Sequence, residues 1–190
     1  MFATKLFAAF TFVSFGLVAS NPVAAPVPVV DLTKRADNAD VMEVFQTLKA
    51  STDSILPQID ELTSSGTAND DNVTPLVNEL TAALDQASSS LSTLDSSETR
   101  KRQTDDELAN LVASIVENIA NTVQGLTASA ITIPGLGGLL VGIDTSLAQV
   151  LRGLGTLLAG VLRLVANLLS NLATLLRNLA LGLTLGSLGL

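Results

Sequence analysis

The sequence predicts an all-α protein: a helical hairpin followed by a long apolar C-terminal helix, loosely a four-helix bundle. Three observations predict it. Across residues 147–179, Leu147, Leu151, Leu154, Leu158, Val161, Val165, Leu168, Leu172, Leu175 and Leu179 alternate steps of four and three, the spacing that keeps side chains on one helix face. The same spacing recurs over residues 41–62 and 108–126. The segments between these runs carry the glycines and prolines that end helices.

Taken in order, residues 1–20 read as a secretory signal. Lys5 supplies the positive start, residues 6–18 the apolar run, and Val18-Ala19-Ser20 a small-residue cleavage site. Residues 21–35 form a leader held extended by Pro22, Pro26 and Pro28, and it closes on the dibasic pair Lys34-Arg35. That pair is what a secretory endoprotease of the fungal kexin type cuts, and Lys101-Arg102, within the basic linker 100–103, is a second such site.

Residues 36–99 are the acidic hairpin. The first helix opens on a capping box of Asp40 and Glu43 and turns Val41, Phe45, Leu48, Thr52, Ile55, Ile59 and Leu62 inward. Pro57 removes a backbone donor, which predicts an interruption with a kink over residues 53–57. After a loop over residues 64–71, the second helix starts at Thr74-Pro75, with Thr as cap and Pro at the first position, and turns Leu76, Leu80, Leu84, Leu91 and Leu94 inward. Asn72-Val73-Thr74 makes Asn72 a candidate glycosylation site, although Pro75 disfavours it.

Residues 104–190 are the hydrophobic region. Thr104 and Glu107 predict a capping box for a third helix with Leu108, Val112, Ile115, Ile119, Val123 and Leu126 on its apolar face. Residues 131–138, with Pro134 and three glycines, predict a turn. Asp144 is placed as the cap of the long apolar helix. Flanking leucines widen the apolar arc of that helix to about 200°, twice an ordinary surface stripe, so one partner cannot cover it. The expected apolar interaction surface is Leu158, Leu162, Leu169, Leu172, Leu176 and Leu179.

Composition excludes much chemistry. Cys and His are both absent, which removes disulfides, thiol nucleophiles, imidazole bases and Cys/His zinc sites. No catalytic, cofactor or metal site is expected: Asp60-Glu61 and Asp70-Asp71 lack the alternating oxygens of a calcium loop. Residues 36–99 hold twelve Asp/Glu against Lys49 alone, whereas residues 145–190 hold three Arg and no acid. Without clustered cations or any Trp or Tyr, nucleic acid is not an expected partner. Arg152, Arg163 and Arg177 interrupt the apolar helix, and each would cost about 2.5–3.5 kcal/mol at the centre of a bilayer, so no transmembrane span is expected.

The secretory start, the Pro-Val-Ala leader ending at Lys34-Arg35, the acidic residues 41–94 and the Leu/Gly-rich end together resemble the cysteine-free secreted proteins of basidiomycete fungi, which pair a hydrophilic N-terminal half with a hydrophobic C-terminal half. The resemblance covers essentially the whole chain and rests on layout. It implies a role in the hyphal wall and extracellular matrix, in aerial growth and attachment. Residues 51–94 are also similar to fungal hydrophobic-surface-binding proteins. Hydrophobins are excluded because their disulfide framework needs cysteine.

The residues themselves give a compatible expectation: a secreted amphiphile that adsorbs at hydrophobic surfaces, binds wall or matrix components, or associates with itself. Two other classes are open. One is a closed helical bundle carrying a lipid or other apolar ligand. The other is a precursor that releases residues 36–102 as a separate peptide.

Overall fold

The computed structural model describes residues 38–94, 102–179 and 181–190. The residues expected to form a signal and leader, with Lys34 and Arg35, lie outside the described residues, as does Lys101. The described residues form an all-α bundle: α1 (Asn38–Ser64), α2 (Asp70–Ser92), α3 (Arg102–Ala128), α4 (Leu136–Leu157), α5 (Ala159–Leu168), a 3-10 turn (Ser170–Leu172), α6 (Ala173–Asn178) and α7 (Gly182–Leu188).

Helices α1 and α2 close an antiparallel hairpin. Its turn is made by Gly66 at φ 70°, a left-handed conformation that costs glycine nothing. Helix α1 begins at Asn38, ahead of the Asp40–Glu43 box, and runs through Pro57 to Ser64 without interruption. Pro57 is exposed, and so is Asp53, whose carbonyl loses its amide partner to the proline ring and can turn to water. The predicted inward row fits: Val41, Phe45, Leu48, Thr52, Ile55 and Ile59 are all buried, and Leu62 is half-buried.

The start of α2 corrects the expectation. Asn69 caps it: its Oδ1 accepts the N–H of Asp71 at 3.0 Å and of Asn72 at 3.1 Å, while Asn72 Oδ1 accepts the Asn69 N–H at 2.9 Å. This reciprocal box satisfies three otherwise orphaned amides. Thr74 therefore lies inside the helix, where Pro75 sacrifices one bond, to the carbonyl of exposed Asp71. Helix α3 likewise starts at Arg102, so Thr104 is within it rather than ahead of it.

Helices α3 and α4 do not pair with each other as α1 and α2 do; each packs along one helix of the hairpin. Helix α3 lies along α1 and α4 along α2, each pair running in the same direction. Contacts along α2 and α4 fix the register: Asp70 meets Gly135, Thr81 meets Gly142, Leu91 meets Gly153, and the Ser146 hydroxyl donates to Asp85 Oδ1 at 2.6 Å. On the other side Thr63 meets Gly125. Glycine at 135 allows the α3–α4 turn to close onto α2, because a Cβ there would sit 2.9 Å from Asp70 Oδ1. Helix α5 packs on both α3 and α4 and closes the ring. This explains why α3 buries two adjoining faces, Leu108, Val112, Ile115 and Ile119 as expected, and also Ala109, Val116 and Ala120.

The long apolar helix is the main correction. Instead of one helix over residues 147–179, the chain breaks at Leu158 (φ −139°, ψ 70°), at Leu169 and at Leu179. Length supplies the reason. Continued from Leu136 to Leu179 at 1.5 Å per residue the helix would reach about 65 Å, whereas the 23 residues of α2 beside it offer about 35 Å. The excess would have no protein cover, so it folds back as α5–α7 over α3 and α4.

Candidate functional site

The fold-back decides which leucines are accessible. Of the six expected to form an interaction surface, Leu169, Leu176 and Leu179 are buried, at 1%, 0% and 4% exposure. Leu158, Leu162 and Leu172 are half-buried. The expected surface is thus halved, because the flank that one straight helix would have left open is turned inward at each break. The remainder runs over residues 158–175, where half-buried Leu164 and Leu175 and exposed Leu168 join Leu158, Leu162 and Leu172; all but Leu168 still pack against the core. Elsewhere Val141, Leu183 and Leu190 are exposed, and Ile131 at the α3–α4 turn is almost fully so, at 96%.

A polar tie holds the fold-back in place. Asp144 does not cap its own helix; it lies in the middle of α4, 5% exposed, and faces the start of α7. Its Oδ2 accepts the Leu183 N–H at 3.0 Å, and its Oδ1 accepts both the Thr184 N–H and the Thr184 hydroxyl at 2.8 Å. A carboxylate at a helix N-terminus faces amides that have no partner within the helix, and it meets the positive end of the peptide dipoles. Asp144 does for α7 what a side-chain cap would do, from 40 residues away. One turn further along, the Ser187 hydroxyl donates to Leu183 O at 2.8 Å and lies 3.5 Å from Ala148 O. Sequence reasoning missed this role, although a signal was present: after Glu117, Asp144 is the one acid in the chain, and a lone carboxylate in an apolar stretch needs a dedicated partner.

Open grooves border the helix pairs. The one between α2 and α4, about 680 Å³, is lined by Thr81, Asp85, Ser88, Ser89, Thr145, Ser146 and Gln149 among others. A second, between α1 and α2, is about 340 Å³ and includes Asp40, Glu43, Gln86 and Ser90. A third, about 360 Å³, separates Asp53 and Asp60 of α1 from Asn118 and Asn121 of α3. All three are open and mixed: the first two expose polar and apolar surface about equally, and the third, which includes Leu56 and Pro57, is more apolar than polar. No group of three acids arranged to hold a metal ion occurs among the described residues.

The remaining sequence candidates fall in two places. Asn72 is half-buried in the α2 cap, its Nδ2 donating to Thr67 O at 2.9 Å. Arg102 is the first residue of α3. Among the described residues no single helix is long and apolar enough to cross a membrane; α5 and residues 170–178 reach the required length and hydropathy only together, across a 55° bend.

Over 83 residues, 44% of its length, the chain is 47% identical to Fruiting body differentiation protein 16 of the basidiomycete Flammulina velutipes. It spans 58% of the length of that relative. No family model matches the chain.

Proposed function

We propose that this is a secreted, non-enzymatic structural protein of a fungal wall or extracellular matrix, which adsorbs at hydrophobic boundaries or associates with itself to support aerial growth and attachment. The observation that carries the reading is the run of half-buried and exposed leucines over residues 158–175, a stretch free of acids, on a bundle whose first hairpin is strongly acidic. Such a molecule presents one end to an apolar phase and keeps the other hydrated. The similarity to a fruiting-body differentiation protein supports a role in the same developmental setting.

No comparable observation favours carriage of an apolar ligand, since the grooves between the helices are open and of mixed polarity. Pendant-drop tensiometry of the purified protein tests the proposal. The wild type is expected to lower the tension of an air–water surface, and the variant Leu158→Gln/Leu162→Gln/Leu172→Gln to do so more slowly at unchanged helicity. A wild type that leaves the tension at the buffer value would end the proposal.

A further inference from the structure

The breaks in the apolar segment divide it unequally. Helix α5 is seated against α3 and α4 and buries Val161, Val165 and Ala166. Beyond α5 the helices are short; α6 packs mainly on α7 and the 3-10 turn, and α7 packs along α4. Helix α6 has six residues, α7 has seven, and neither has a side-chain cap of its own. Helices this short do not hold themselves in water and depend on what they pack against. Yet this stretch carries Leu176, Leu179, Leu181, Leu185 and Leu188, each no more than 6% exposed.

We propose that residues 170–190 are a strap, clasped to α4 by Asp144, that swings off when the protein meets an apolar boundary and delivers these leucines to it. The inference rests on the interfacial reading above and names the part of the chain that acts.

The energetics favour a strap over a permanent element. In water the closed state is held by burial of the leucines. An apolar boundary offers the same side chains an equivalent environment, so contact with it removes the advantage of closure; this is the differential interaction that a ligand must have to shift a two-state equilibrium. Opening returns the Asp144 carboxylate and the α7 amides to water, which offsets part of what the clasp contributes. What it supplies is register: three hydrogen bonds converging on one carboxylate fix where α7 lands, so a released strap recloses in one place. Arg177 is exposed in the closed state and is the one charged side chain of residues 170–190, so opening drags no buried charge with it apart from uncovering Asp144.

The test locks the strap. Ser187 sits against the backbone of Ala148, and the chain has no native cysteine, so Ala148→Cys/Ser187→Cys offers a disulfide between α4 and α7 that can be made and broken at will. Tensiometry then compares wild type, oxidised double variant and reduced double variant, with disulfide formation checked by free-thiol titration. The expected result is adsorption slowed about fivefold or more in the oxidised form and restored by reduction. A second variant, Asp144→Asn, weakens the clasp without adding a bond; it is expected to adsorb faster than wild type and to show faster hydrogen exchange at Leu183 and Thr184, with the amides of α1–α3 unchanged. Wild type that adsorbs while the oxidised form matches it overturns the strap and leaves the interfacial reading standing. Wild type that does not adsorb overturns both.

Discussion

Asp144 Oδ1 receives both the backbone N–H and the side-chain hydroxyl of Thr184 at 2.8 Å, tying the middle of α4 to the first turn of α7. Replacing Asp144 with Ala leaves the Leu183 and Thr184 donors without their acceptor in a buried site. The expected loss is about 2–4 kcal/mol. Asp144→Asn keeps one acceptor oxygen and should lose less. Urea unfolding checks both; equal midpoints for Asp144→Ala and wild type would show that the tie contributes nothing.

The bond from Ser146 to Asp85 joins α4 to α2 and is a hydroxyl donating to a carboxylate at 2.6 Å. Ser146 is buried while Asp85 is exposed, so the hydroxyl has few other partners if the acid is removed. Ser146→Ala and Asp85→Asn should each destabilise by about 1–2 kcal/mol, and the double variant by less than their sum. Strict additivity would mean that the two side chains act independently.

Glycines along α4 differ in what a methyl group would meet. At Gly137 and Gly138 there is open space, so Gly137→Ala and Gly138→Ala should each stabilise by about 0.5–1 kcal/mol through the helix backbone alone. At Gly153 the new Cβ would lie 3.3 Å from Leu91 Cβ, which should cancel or reverse the gain. Gly66→Ala forces a side chain into φ 70° and should cost about 1–2 kcal/mol. Thermal melts rank the four, and a stabilised Gly66→Ala would contradict the turn geometry.

The first hairpin buries its apolar faces on α3 and α4, so cutting the chain between α2 and α3 should not free it. With a specific protease site placed in residues 95–101, the two pieces are expected to co-elute from gel filtration and to keep the helicity of the uncut protein. Separation in native buffer would instead favour a precursor that sheds a peptide.

Much of the bundle was legible in the sequence because burial there follows local periodicity. In α1 and α3 the 3-4 rows coincide with the buried rows, since each helix is covered along its length by a neighbour of matching size. The helix starts were harder. Thr74-Pro75 reads as a cap and first position, but the Asn69–Asn72 pair just upstream closes a reciprocal box, and two further hydrogen bonds outweigh one proline. The break at Leu158 has neither proline nor a capping side chain, and the leucine spacing continues past it; its one local mark is the glycines beside it, Gly155, against which Leu162 folds back, and Gly160. It is imposed by the length of α2, a distant property. For the same reason the burial of Leu169, Leu176 and Leu179 could not be read from their own neighbourhood.

The parallel pairing of α3 with α1 and of α4 with α2 bears on how the bundle assembles. The acidic hairpin precedes its partners in the sequence and can close from short-range contacts alone. Helices α3 and α4 then find the faces of α1 and α2 in place, and α5 follows onto α3 and α4. Placing α3 and α4 ahead of α1 and α2 in the gene would leave them without those faces until the hairpin follows.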